Sequence, residues 1–328
     1  MNFDEFLREY GSIERRFQFS REKLGCLRDD IAKAVADSSY RDKITLVTMG
    51  SYGRKEASES SDIDCYVLFD SDKPGDAIKN ELNQVQGVIR QHIAQEPGDT
   101  GTFGTSQPLL FSNLLNNISS DEECTKDMTR RMLLLLEGDW LYGKDRFETY
   151  RKELLKKYIG DHRKDNAIPR FLLNDIIRYY RTITTDFEYK TTAQKKSWGL
   201  RSAKLRFSRQ LLYFGGVIAV AEIADVEVSE RIDRMLEILA LPVLQRIYEL
   251  NPSGSGTADI FTQYNIFLDI VSDIIKRQEL AELEKMDRYK SKTYVEIKEK
   301  SQAFTQALAD WLKAKYPIGH PIHQALIF

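Results

Sequence analysis

The amino-acid sequence predicts an α+β protein, in which a small unit of strands and helices precedes an all-helical region. Three observations carry this. A short β-branched run, Ile44 to Met49 (ITLVTM), ends at Gly50, and a second apolar run extends from Asp62 to Phe69 (DIDCYVLF). Around these strands, apolar residues recur at helical spacing: Leu24, Leu27, Ile31 and Val35 before them, and Ile78, Leu82, Val85, Ile89 and Ile93 after them. Beyond residue 146 the strand signals stop and only helical patterns remain. The expected organisation is an N-terminal helical segment over 1–40, a strand-containing domain over 41–145 and a helical domain over 146–328.

Each element has a local reason. Phe3, Phe6 and Leu7 fit helical spacing at the start. The helix over 76–94 is amphipathic and ends at Pro97-Gly98. Asp99 to Leu110 (DTGTFGTSQPLL) reads as a third strand or hairpin. Ser120 and Glu123 have the form of a capping box opening a helix through MTRRMLLLLE, which Gly138 ends. Helical patterns then cover 150–158, 169–189, 200–224, 229–250, 258–286 and 294–314, with a loop at Asn251–Gly256. The apolar run Gln210–Ala221 reads as a buried helix, broken at Gly215-Gly216. Its 12 residues fall short of the roughly 20 that a spanning helix needs, so no membrane partner is expected.

Composition narrows the function classes. The 328 residues carry 48 basic and 50 acidic side chains, a net charge of −2, which does not suggest a general nucleic-acid coat protein. Cys26, Cys65 and Cys124 are odd in number and widely spaced, so neither a disulfide framework nor a CxxC metal site is expected. The expected compartment is reducing and cytoplasmic. His320 and His323 (HPIH) have metal-like spacing, but the intervening Pro321 and the nearby chain end favour a surface tail.

The chemistry is concentrated in MGSYGRKEASESSDIDCYVLF. Residues i and i+2 of a strand share a face, which puts Asp62 and Asp64 side by side with Cα atoms roughly 6.5 Å apart. Two carboxylates so placed repel each other unless a cation lies between them. Magnesium favours such oxygen ligands together with substrate phosphates. Upstream, Gly50 lets the backbone approach a ligand closely, and the residues after it can open a helix whose N–H groups favour phosphate. Ser51 adds a hydroxyl, and Arg54 is a candidate bidentate phosphate contact. The plainer alternative is a strand–turn–helix with a solvated acidic end.

GSYGR followed by SDIDCYVLF resembles the signature of the nucleotidyltransferase superfamily typified by DNA polymerase beta. Within it, the chain is similar to nucleotidyltransferases related to the N-terminal domain of the uridylyltransferases that modify the PII signalling protein. Their pattern is GG or GS, then RGE, then SDIDL or a variant. Gly50, Ser51, Arg54 and Glu56 match its first part, and Ser61, Asp62 and Asp64 its second. TRRMLLLLEGDWLYG also resembles the stretch that closes the catalytic domain in that branch. The resemblance covers about 41–145 and, more weakly, the helices that follow.

That resemblance implies a mixed sheet and a magnesium-dependent enzyme, with manganese as an alternative ion. The enzyme would move a nucleoside monophosphate from an NTP such as ATP to an acceptor hydroxyl, releasing pyrophosphate. Asp62 and Asp64 would be catalytic and metal-binding, and Gly50, Ser51 and Arg54 would bind substrate. The superfamily usually has a third carboxylate on a later strand, and Asp99 is its candidate here; its ordinary reading is a turn aspartate after Pro97-Gly98. Without a third acid, the alternative is a non-catalytic nucleotide-binding module, or a partner of the toxin–antitoxin type, that keeps the fold. The acceptor (protein, RNA or small molecule) and the oligomeric state are open. The chain has no His-Asp dipeptide, so the hydrolase activity of the full uridylyltransferases is not expected.

The helical domain adds one charged feature. Between Lys190 and Arg209 there are seven basic residues and no acid. Arg201 and Lys204 share one face there and are candidate contacts for the triphosphate or the acceptor; a solvated helix face is the alternative. Tyr179, Tyr180, Phe187 and Tyr189 read as helix-packing core rather than a stacking platform.

Overall fold

The protein is described from a computed structural model, over residues 1–70, 75–95, 104–121, 123–160, 167–193 and 197–327. In chain order, α1 (Phe3–Leu7) and α2 (Gly11–Ala34) lead into β1 (Ile44–Met49), α3 (Gly50–Gly53) and β2 (Asp64–Phe69). Then come α4 (Lys79–His92), β3 (Gly104–Leu109), α5 (Phe111–Asn116), α6 (Thr125–Leu136), β4 (Asp139–Tyr142) and α7 (Lys144–Ile159). The helices that follow are α8 (Arg170–Thr192), α9 (Trp198–Lys204), α10 (Gln210–Glu222), α11 (Arg231–Ala240), α12 (Val243–Leu250), α13 (Thr257–Ser272), α14 (Ile274–Glu282), α15 (Lys292–Lys315) and α16 (Pro321–Ala325). The α+β class is therefore as expected.

The chain forms two compact units, and neither is continuous in sequence. A sheet unit comprises residues 15–161 and 232–242, and a helical unit comprises 1–14, 162–231 and 243–328. The boundaries follow residues 14, 161, 231 and 242, the first inside α2 and the third at the start of α11.

In the sheet unit the strand order is β3-β2-β1-β4. β1 pairs antiparallel with β2 and with β4, while β2 pairs parallel with β3, so the sheet is mixed. Opposed residues on antiparallel strands share a face. Ile44, Leu46, Cys65, Val67 and Phe69 thus face one way, into a core with Leu24, Leu27 and Ile31 of α2 and Leu82, Val85 and Ile89 of α4. Met49 and Asp64 are opposed at the far end of the β1–β2 ladder and take the other face. α6 and α7 pack against β1, and their leucines Leu133, Leu134, Leu154 and Leu155 are buried.

Several elements differ from the sequence reading. β2 begins at Asp64, so Asp62 precedes the strand. β4 was not anticipated: it has four residues between Gly138 and Gly143, too few to show a period. Ser120 does not cap α6, which begins at Thr125 with Cys124 at its N-cap. Glu123 instead ion-pairs with the buried Arg131. The capping box occurs at the start of α1, where the Asn2 side chain accepts from the Glu5 N–H and Glu5 returns the bond.

The helical unit is built on aromatic packing. Phe6 lies 4.7 Å from Tyr248 and 4.9 Å from Phe261, ring centroid to centroid, which ties α1 to α12 and α13. Phe207 stacks on Phe267 at 4.5 Å. α10 continues through Gly215-Gly216 without a break, and Gly215 serves close packing. A Cβ on Gly215 would come within 2.5 Å of Val243 Cγ1 of α12. The stretch 198–225 is long and apolar enough to cross a bilayer, yet 78% of its most apolar window is buried inside the protein, as in a core helix. The expected 229–250 helix is two helices, since Pro242 disfavours helical backbone at the residue before it. The expected 258–286 helix is interrupted at Asp273, whose side chain caps α14 by accepting from the Lys276 N–H. The His320 side chain is packed and caps α16 by accepting from the Ile322 N–H, although the residues just before it are exposed. All three cysteines are free thiols.

Candidate active site

The site forms where β1 ends. At Gly50 the backbone turns to φ +66°, in the left-handed region, and enters the single turn α3. Two contacts hold this turn. The Gly50 N–H donates to Glu137 Oε1 at 3.0 Å, and the Gly50 Cα faces the Asp64 carboxylate. An added Cβ would sit 2.7 Å from Asp64 Oδ2. Glycine is required here both for backbone conformation and for space. At Gly53 a Cβ would meet the Glu137 carbonyl oxygen at 2.2 Å, so Glu137 is pressed against both glycines.

Asp62 and Asp64 flank Ile63, which is buried in the core shared with α2 and α4. Both carboxylates are only partly buried. Ile63 is turned into that core between them, and only Asp64 lies in the strand. The Asp64 carbonyl accepts from Thr48 Oγ1 at 3.1 Å, which fixes its backbone against β1. Burial, followed by the charge of Asp62, pushes the Tyr52 phenol up to about 12. Burial, followed by the charge of Asp64, pushes the Cys65 thiol up to about 12. Both neighbours therefore stay neutral at physiological pH, and neither competes as an anion or a soft ligand.

Arg54 takes a bracing position rather than the expected phosphate contact. It is buried, with Nε 2.9 Å from Glu56 Oε2 and Nη1 against Glu137 Oε2. Glu137 thus bridges the Gly50 amide and the Arg54 guanidinium, closing the turn on itself. Arg16 donates to the Glu56 carbonyl at 2.6 Å. The next residue, Lys55, has φ +62°, a left-handed conformation that residues with a side chain rarely adopt. Its ammonium pairs with Asp139, which also binds Arg28 at 2.8 Å. Burial draws the Lys55 ammonium below its ordinary value, and Asp139 opposes that shift.

Ser51 is partly exposed, and its carbonyl accepts from the Glu56 N–H at 2.7 Å. Gly50, Ser51, Asp62 and Asp64 therefore gather at one end of the sheet. Asp99 lies outside the described residues. Arg201 and Lys204 lie one turn apart on α9 of the helical unit, Arg201 half-buried and Lys204 exposed. Among the described residues, no group of three or more His, Cys, Asp or Glu side chains gathers as a metal site. Glu137, Asp139 and Lys55 were missed as site residues. The one sequence signal for Glu137 was a lone acid closing the run MLLLL.

Two substitutions test the turn. Gly50→Ala is expected to lower stability by about 1–3 kcal/mol, from positive φ and the encounter with Asp64. A melting temperature equal to that of the parent would remove this account. At position 55, Lys55→Gly is expected to be more stable than Lys55→Ala by about 1 kcal/mol. Both lose the ion pair with Asp139, so chemical denaturation of the two variants isolates the backbone term.

Comparison with known families agrees with this geometry. Residues 28–105 match the family described as nucleotidyltransferase domain, a span that includes β1, β2 and the whole of Gly50–Asp64. No curated protein matches the chain. The glycine turn, the adjacent aspartates and this match place residues 28–105 in the nucleotidyltransferase superfamily.

Proposed function

We propose that the protein is an active nucleotidyltransferase that moves a nucleoside monophosphate from an NTP to an acceptor hydroxyl. The observation carrying this reading is the close approach of Gly50 to the Asp64 carboxylate, with Asp62 two residues away and both acids partly open to solvent. In the transfer, the acceptor oxygen forms a bond to the α-phosphorus, the bond from that phosphorus to the bridging oxygen of the β-phosphate breaks, and pyrophosphate leaves. The acceptor hydroxyl loses its proton, and Asp99 is proposed to take it.

Asp62 and Asp64 are hard oxygen donors with neutral neighbours, which suits magnesium or manganese. They would hold the ion, which supplies charge neutralisation at the phosphates when bound. The chain's own contribution is positioning. The Glu137–Arg54 brace fixes the turn, the absence of a side chain at Gly50 lets the Asp64 carboxylate lie close beside it, and the Ser51 hydroxyl would offer a phosphate a hydrogen bond.

A second reading is a non-catalytic nucleotide-binding module, or a partner of the toxin–antitoxin type. It is the reading that holds if no third carboxylate joins Asp62 and Asp64. Incubation with each labelled NTP and magnesium separates the two. Pyrophosphate release with label on an acceptor supports transfer; saturable NTP binding without pyrophosphate supports the binding module.

A further inference from the structure

The basic stretch after Lys190 continues into a helix with an irregular phase. Between α9 and α10 lies a π-turn, Leu205–Arg209, and such turns re-aim side chains and recur at functional sites. Arg206 sits within it. Its Nε is buried without a hydrogen-bond acceptor. One helical stripe onward is Tyr213 of α10, which stacks on Tyr180 of α8 with centroids 4.8 Å apart and planes 23° from parallel. Both rings are half-buried, so part of each still faces solvent.

Two cations flank this pair. Arg206 bears electrostatically on Tyr180, and the exposed Arg181 on Tyr213, each opposing the upward push that burial gives the phenol. Both rings therefore stay neutral. Neither arginine has a carboxylate partner among the described residues. The acids of α8 are engaged elsewhere: Asp175 lies 3.7 Å from Arg178, Asp186 2.6 Å from Lys190, and Glu188 3.2 Å from Lys285. The sequence supplies no other acid from Lys190 to Ala221.

We propose that Tyr180, Tyr213, Arg181 and Arg206 form a binding site for single-stranded nucleic acid on the helical unit, with a base on the exposed ring face and adjacent phosphates on the guanidiniums. The chemistry selects this ligand. Neutral aromatic faces stack on any base, and planar guanidiniums take phosphate oxygens in pairs. An acidic peptide would meet the cations but offer nothing to the rings. As a role for the site, holding the acceptor strand rests on the transferase reading; the binding itself does not.

The test is fluorescence anisotropy of the full chain with a short labelled single-stranded RNA and the matching DNA, without NTP or metal. Arg181→Glu with Arg206→Glu is expected to weaken binding at least roughly tenfold and to reduce the salt slope by about 1.4, the loss of two phosphate contacts. Tyr213→Ala should weaken binding roughly tenfold, and Tyr213→Phe should retain it, since the ring stacks and the hydroxyl does not. Tyr213→Phe and Arg181→Glu alone change only a half-buried and an exposed side chain, so they report even where a harsher variant unfolds. Binding of neither strand, unchanged binding by the charge-reversed chain, or equal binding of polyglutamate would overturn the site. A chain that binds RNA but transfers no nucleotide keeps this site and removes the transferase reading. A chain that transfers nucleotide to another acceptor and binds no strand does the reverse.

Discussion

A chain carrying Asp62→Asn and Asp64→Asn is expected to fold like its parent and to release no pyrophosphate above background from any NTP. The two acids flank Ile63, which is buried in the core, and both are partly open to solvent. Neutralising them removes like-charge repulsion from the metal-free protein, so stability should hold or rise slightly. Activity should fall at least about a thousandfold, roughly 4 kcal/mol of transition-state stabilisation. Asparagine keeps the size of the side chain and leaves Gly50 its space, which separates charge from packing. The measurement is coupled pyrophosphate release with magnesium, alongside a thermal melt of the same sample. Retained turnover in a folded double variant would sink the assignment of these residues.

The largest effect on stability is expected at Glu137. Its carboxylate is buried between the Gly50 amide and the Arg54 guanidinium. Glu137→Ala strips both at once, taking one carboxylate from a buried guanidinium and the acceptor from a backbone N–H. Breaking a buried pair from one side costs about 3–5 kcal/mol. For a unit of this size that is a melting-temperature drop of roughly 10 °C. Glu137→Gln keeps an acceptor for Gly50 and loses the charge, so it should fall between parent and alanine variant. An alanine variant melting within about 2 °C of the parent would show that Arg54 finds another partner.

What could be read from the sequence was what short-range pattern encodes. Ile63 between Asp62 and Asp64 gives its alternation within three residues, and Gly50 marks the end of an apolar strand. Glu137 was not legible in this way, because its role depends on a contact 87 residues away in the chain. Lys55 gave no signal either: a left-handed lysine is held by Asp139, and no local rule favours it. Ser120 and Glu123 matched a capping pattern, yet Arg131 competes for the glutamate and wins through a buried charge pair. Gly215-Gly216 read as a helix break because local propensity counts only the missing side chain. In the fold, Val243 fills the space that side chain would take. The branch within the superfamily, the acceptor and the third carboxylate all depend on contacts that neither spacing nor composition encodes.

The interleaving of the two units sets an order of events during synthesis. Residues 1–14 belong to the helical unit, whose remaining parts are 162–231 and 243–328. Tyr10 Oη donates to the Ala258 carbonyl, a partner 248 residues later in the chain. At ribosomal speeds of roughly 5–20 residues per second, that partner follows by about 12–50 s. Phe3 and Phe6 precede the sheet unit in the chain, and their ring partners Tyr248 and Phe261 follow all of it. For that interval Phe3 and Phe6 lack the ring partners that they have in the folded unit. The sheet unit likewise waits for 232–242 before it is complete. A ribosome stalled at residue 161 would therefore hold both units unfinished.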